Sequence, residues 1–270
     1  MMFAAPKPFA RPRDAVGILR ARQKARERMH AAIPARYSPW LHLGLTLSIG
    51  IGVLAVAITR VHSPTWLEWL TIPIVFVVAN MFEWRAHKSL LHHRTPPLHH
   101  LYDRHTPEHH MVFGYDDMAI RDFKELKLVL IPAIGIFGIV AMCTPIAWLL
   151  GHFWSPNRGW LFLVTAAIYV VGYEVSHMSY HLPSDSFIGR LWLVQWLREH
   201  HRRHHHARLM QKWNFNVTIP LFDWVHRTTA SKELIEKTLE EDAEALKRLE
   251  DASPGEVSST EASSSEASPG

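Results

Sequence analysis

The chain has 270 residues, 48% of them hydrophobic, and a formal net charge of +4, which is enough for one large domain or two small ones. Its mean hydropathy near zero suggests a soluble protein, but that average hides long apolar runs separated by charged segments. A single cysteine, Cys143, excludes an intramolecular disulfide and argues against a thiolate metal site, whereas 20 histidines call for an explanation.

Residues 1–36 form a basic arm, with nine Lys/Arg against Asp14 and Glu27 and a helix expected over Ala15–Ala32. The arm lacks the short apolar core and cleavage site of a secretory leader, and nucleic acid is not expected as a partner. Trp40–Thr59 then runs for 20 residues without a charge, and Leu128–Asn157 for 30. Both exceed the roughly 18–20 apolar residues that a membrane crossing requires. Two shorter runs, Trp69–Phe82 and Gly159–Tyr173, stop at Glu83 and Glu174. All four predict transmembrane helices, with Trp40, Trp66, Trp69, Trp84, Trp148, Trp154 and Trp160 near their ends, where aromatic belts form.

The expected fold is all-α: an integral membrane protein with four spans in two hairpins, near 41–92 and 126–182, and a helical cap joining them. After residue 182, "PSDSFIGRLWLVQWL" suggests a helix lying at the membrane interface. The catalytic unit is expected over 37–230. It is followed by a charged amphipathic helix over 231–251, with Leu234, Ile235, Leu239, Leu246 and Leu249 along one side, and by a Ser/Glu/Pro-rich tail over 252–270 expected to be disordered.

Charge sets the expected orientation. Seven Lys/Arg lie in 85–127 and eleven after 182, while the short connections 60–65 and 151–158 hold only Arg60 and Arg158. The positive-inside rule places both termini and the central segment in the cytoplasm. The histidine clusters fall on that side too. Trp66–His92 spans 27 residues, about 40 Å if helical, so its histidine end should project beyond a hydrocarbon core of roughly 30 Å.

Spacing selects ten histidines. His177 and His181 are i, i+4; His201, His204 and His205 share one helical face. In "RHTPEHH", Thr106 suits an N-cap, Pro107 a first turn and Gly114 an end, which puts His109 and His110 in that first turn and His105 in the preceding loop. His87 and His92 are five apart, which is not one α-helical face, so one must lie where the helix frays or face a second metal. Ten imidazoles without thiolate suit two metal ions and O₂ chemistry, iron being favoured although imidazole also binds zinc and copper. Imidazole resists oxidation where thiolate does not. Glu83, Glu108, Glu174, Glu199, Asn216 and Asp223 are close enough in sequence to orient these rings, Glu83 and Glu174 best, because a carboxylate near a membrane boundary needs a partner. His30, His42, His62 and His152 stand alone and read as structural, while His93, His99, His100, His206 and His226 stay open.

The series H-x4-HH (87–93), H-x3-HH (105–110), H-x3-H (177–181) and H-x2-HH (201–205) resembles the histidine boxes of the fatty acid hydroxylase/sterol desaturase superfamily, and "NFNVTIPLFDWVHRT" (214–228) resembles the stretch after its last box. The likeness covers about residues 65–228. It implies a membrane non-haem diiron oxygenase that hydroxylates a lipid C–H bond with O₂, on a fatty acyl chain, with desaturation as the alternative. Its metal ligands would be His87, His92, His105, His109, His110, His177, His181, His201, His204 and His205. Two departures stand: the second box has three intervening residues where two are common, and His200 can replace His201 as H-x3-HH. With no dinucleotide fingerprint or haem domain in the sequence, a separate ferredoxin- or cytochrome-like protein is the expected electron donor. A reading of another class is a histidine-rich metal transporter or store.

Overall fold

A computed structural model describes residues 12–252; the first eleven residues and the tail from 253 lie outside it, as do the side chains of Leu246 and Leu249. Its helices are α1 (Pro12–Ala31), α2 (Pro39–Thr59), α3 (Trp66–Leu91), α4 (His99–Arg104, continuing to Val112), α5 (Ala133–Phe153), α6 (Pro156–Tyr180), α7 (Trp192–His204), α8 (Leu221–Val225) and α9 (Lys232–Ala252). There is no strand among the described residues.

Local chemistry starts these helices where the sequence supplies caps. Ser38 and Ser155 each accept a hydrogen bond from the third residue on, Leu41 and Arg158, and each precedes a proline at the first helical position. Thr65 and Glu68 close a reciprocal capping box at the start of α3. Four helical stretches, Pro39–Thr59, Trp66–Leu91, Phe123–Phe153 and Pro156–Tyr180, are long and apolar enough to cross a membrane, and no more than a third of each is buried inside the protein. Ile51, Ile74, Phe82, Phe137 and Trp148 therefore point outward, an apolar surface that water would not tolerate on this scale.

Only the second expected hairpin packs on itself: α5 lies against α6, whereas α2 and α3 make little contact with each other. α6 is the central helix, packed against α2, α3 and α5; α2 leans on α6 and α5, so α6 stands between the first two spans. Glycine permits the closest approach: a Cβ on Gly159 would sit 2.4 Å from the Ala147 carbonyl oxygen. The third apolar run is not one helix either. Leu130–Pro132 is extended, since Pro132 disfavours helical geometry at Ile131 and cannot donate to a ladder. The freed groups of Ile131 are satisfied across the bundle: its carbonyl by His42 (3.2 Å) and Thr46 (3.3 Å), its N–H by Glu174 (3.1 Å).

The helix expected after residue 182 begins later, at Trp192, behind a series of turns, and leaves Phe187 86% and Trp192 77% exposed. The basic arm is helical from Pro12 and docks along α9, whose Ile235 packs with Tyr115, Leu209 and Ala230, flanked by Leu234 and Leu239. Thr106 is not a cap. The helix starts at His99 and runs straight through it.

Candidate metal centre

Ten imidazoles converge at one end of the bundle, and the backbone that brings them there twice departs from α-helical winding. His87–Leu91 and His105–His109 are π turns, in which a residue bonds five positions back; the His110 N–H donates to the His105 carbonyl. That winding brings together residues five apart. His87 with His92 and His105 with His110 thus join one group, completed by His204; His109, His177, His181, His201 and His205 form a second. Within each group the five ligating nitrogens lie within 4.8 Å of one another. Of the two alternatives for this pair, the structure gives the helix end: His92 caps the turn His87–Leu91, and it shares one group with His87 rather than facing the other.

The groups share a wall. His109 and His110 are chain neighbours serving different groups, as are His204 and His205, and the His110 and His205 rings stack at 4.3 Å between centroids. His200 belongs to neither. Its Nε2 lies 2.9 Å from Asp223, and Asn214 reaches its Nδ1, so the residue of the last box that enters the group is His201.

Ring orientation is set by backbone carbonyls. Nδ1–H of His109 donates to Leu128 (3.0 Å), of His181 to Met118 (2.7 Å), of His204 to Trp213 (2.9 Å) and of His205 to Phe113 (2.6 Å), and that of His87 to Phe215. A carbonyl only accepts, so these five rings carry their proton on Nδ1. His92 follows by elimination. The Thr106 hydroxyl spends its proton on the Leu91 carbonyl (2.7 Å) and must accept from His92 Nδ1–H (3.2 Å). In all six, the lone pair of Nε2 is left facing inward.

None of the carboxylates or amides expected to orient the rings touches a converging imidazole. Glu83 accepts from the N–H groups of Val217 and Thr218 and from the Thr218 and Tyr169 hydroxyls. Asp223 accepts from Phe215 and Asn216 N–H, and Asn216 from Phe222 and Asp223. Together with Asn80, these groups fix the segment 213–218, whose Trp213 and Phe215 carbonyls hold His204 and His87. Glu174 holds Ile131, and Glu199 pairs with Arg202 and Arg203. No hydrogen bond reaches Glu108, whose carboxyl burial pushes up in pKa. The carboxylates and amides act one layer further out, on the backbone whose carbonyls hold five of the rings.

One residue not anticipated from the sequence holds the opposite wall. Arg26 of α1, 4% exposed, binds both oxygens of Glu125 (2.9 and 2.6 Å), Asp117 (2.8 Å) and the Ala119 carbonyl (2.6 Å), and lies over the Phe113 ring. It thereby anchors the segment 113–125, whose Phe113 and Met118 carbonyls orient His205 and His181. Thr106, expected as a cap, instead supports His92 of the first group. No sequence signal marks Arg26, whose partners lie more than 90 positions away.

The donor set fits metal ions. His92 Nε2 faces His204 Nε2 at 2.9 Å, and both rings carry their proton on Nδ1, so two lone pairs meet without a hydrogen between them. His201 and His205 approach equally closely (2.9 Å), and the buried Nε2 atoms of His109, His177 and His181 have no partner at all. A cation between the nitrogens removes both problems. Protons do so poorly: burial, then neighbouring imidazoles, hold His92, His105, His110, His181, His201, His204 and His205 well below the usual range, and burial pushes His109 down to about 3. Five imidazoles per group exceed the four ligands of a structural zinc site.

The remaining histidines stay apart. His42 supports Ile131, His152 stacks on Trp148, His206 pairs with Asp242 (3.2 Å), and His93, His99, His100 and His226 are exposed. No family model, no curated protein and no solved structure matches the chain.

Proposed function

We propose that the chain is a membrane non-haem diiron oxygenase of the fatty acid hydroxylase/sterol desaturase type, which hydroxylates a C–H bond of a lipid, a fatty acyl chain by preference, using O₂ and electrons from a separate protein. One observation carries this reading: two five-imidazole groups with a common wall, at the end of four helices long and apolar enough to cross a membrane. Two iron ions bound there would supply O₂ activation strong enough to remove hydrogen from an alkyl carbon.

The protein's part is placement. His87, His92, His105, His110 and His204 would hold one ion, and His109, His177, His181, His201 and His205 the other. The six Nδ1 protons stay on the rings, each donated to its fixed acceptor, so each ring keeps its lone pair on Nε2. All ten rings are buried, none more than 9% exposed, which keeps bulk water from the reacting centre. A lipid chain would meet such a centre without leaving the membrane, because the ten rings gather at one end of the four apolar helices. The Lys/Arg distribution favours a cytoplasmic centre. The transporter reading suits the structure less well: a transport path needs ligands at mid-membrane depth, and the ten histidines gather at one end.

Two measurements test the proposal. Protein purified in detergent without chelators should carry about two metal ions per chain, the ligand set being large enough for two. Cells expressing it under ¹⁸O₂ should contain a lipid with one labelled oxygen. Loss of two hydrogens without label would assign the desaturase alternative, and an unchanged lipidome beside a competent donor would refute the enzyme.

A further inference from the structure

The first histidine group is joined to the protein surface by a run of packed rings. Phe215, fully buried, lies 5.9 Å from the His204 ring and 6.1 Å from the His87 ring, centroid to centroid. Trp84 packs edge-to-face on Phe215 at 6.0 Å, and His226 stacks on Trp84 at 4.0 Å with the ring planes 21° apart. Each separation is that of rings in contact. Trp84 is 7% exposed, whereas His226 is exposed.

The surface where this run ends is basic. The Lys88 ammonium lies over both Trp84 (4.8 Å) and Phe215 (5.7 Å), and exposed Arg227 follows His226. The acidic residues of the two segments that build the face, Glu83 and Asp223, are buried and turned onto backbone N–H groups. Their charge does not offset the cations outside. Trp84 is held in place by its own N–H, which donates to Thr228 (3.0 Å).

We propose that the face formed by Lys88, His226 and Arg227 is the docking surface for an acidic one-electron carrier protein, and that Trp84 and Phe215 bridge it to the first histidine group. The inference rests on the diiron reading above. In each transfer the carrier loses one electron and an Fe³⁺ ion held by the first group gains it. No bond forms or breaks, and Trp84 keeps its proton. Tunnelling falls steeply with every gap between packed atoms, so a continuous ring path outcompetes an aliphatic one. Complementary charge acts separately, on encounter.

The test separates docking from transfer. Zinc-loaded protein in nanodiscs is titrated with two acidic carriers, a plant-type [2Fe–2S] ferredoxin and the soluble domain of cytochrome b5. Iron-loaded protein is then followed by stopped-flow during reduction by whichever carrier binds. Lys88→Glu with Arg227→Glu is expected to lower the association rate about tenfold and to flatten its salt dependence. Trp84→Leu should leave binding unchanged and abolish the fast reduction phase, while Thr228→Val, which removes the hydroxyl's bonds to Trp84 and Asp223 but keeps the ring, should retain that phase. Failure of both carriers to bind wild type, binding indifferent to the charge reversals, reversals that alter only retention on anionic vesicles, or fast reduction persisting in Trp84→Leu would each overturn the inference. Dithionite needs no docking surface and should reduce wild type and variants alike. A wild type that dithionite cannot reduce would sink the diiron reading itself.

Discussion

Replacing Arg26 by alanine should weaken one metal site and spare the other, although Arg26 touches no histidine of either group. The guanidinium gives Glu125 two hydrogen bonds, Asp117 one and the Ala119 carbonyl one. Without it the Glu125 carboxylate, 3% exposed, keeps one hydrogen bond, from the Arg121 N–H at 2.9 Å, with His30 Nδ1 3.8 Å away. Removing one partner of a buried ion pair costs about 3–5 kcal/mol; the lower end applies, since Asp117 is 46% exposed and can turn to water. The segment 113–125 then loosens and, with it, the Phe113 and Met118 carbonyls that orient His205 and His181. Loss of such supports weakens metal binding roughly 10–100-fold, or about 1.4–2.7 kcal/mol. The first group depends on Phe215, Trp213 and Thr106, which Arg26 does not reach. Chelator titration of the loaded variant should therefore release one ion early and the other at the wild-type concentration. Adding Glu125→Gln should recover part of the thermal stability by removing the stranded charge. Simultaneous loss of both ions, or a wild-type release curve, would refute the chain of support from α1 to the second group.

His109→Ala and His110→Ala alter adjacent residues, yet each should empty a different group, leaving about one ion per chain on metal analysis; an identical spectroscopic signature for the two would contradict the division. Thr106→Val removes the acceptor for His92 and should weaken only the first site, about tenfold or more, by competitive chelation. The metal-free chain should lose stability as pH falls below about 6.5, because its unfolded histidines take up protons that the buried rings, with His109 down at about 3, refuse; melting temperatures flat between neutral pH and acid would exclude this. Arg60→Cys in a Cys143→Ser background should react with an impermeant thiol reagent only from outside the cell, and labelling confined to the cytoplasmic side would reverse the proposed orientation.

The four apolar stretches and the ten histidines were legible because each is a local property: run length in one case, residue type in clusters in the other. What escaped is what depends on distant partners. A spacing of five reads as two faces under α-helical winding, whereas the π turns at His87–Leu91 and His105–His109 bring each pair into one group with His204 of α7. Thr106 looked like a cap because a hydroxyl before Pro and Glu has that local signature; its actual acceptor is the carbonyl of Leu91, 15 positions earlier. The expectation of carboxylates at the rings failed because a backbone carbonyl has no sequence signature. Chain order pairs α5 with α6, as the structure does, but it does not reveal that α6 also inserts between α2 and α3.

Placing a proton on Nδ1 of His87, His92, His109, His181, His204 and His205 before any ion arrives has a consequence for how the centre is assembled. A thiolate site must expel a proton from each ligand, so its affinity climbs with pH and its binding heat depends on the buffer that collects those protons. Here the Nε2 lone pairs are already bare near neutrality, and the protons that remain stay on Nδ1, donated to five carbonyls and the Thr106 hydroxyl. Loading is thereby uncoupled from the acidity of the compartment in which the chain acquires its metal, until the solution is acidic enough to charge the imidazoles themselves.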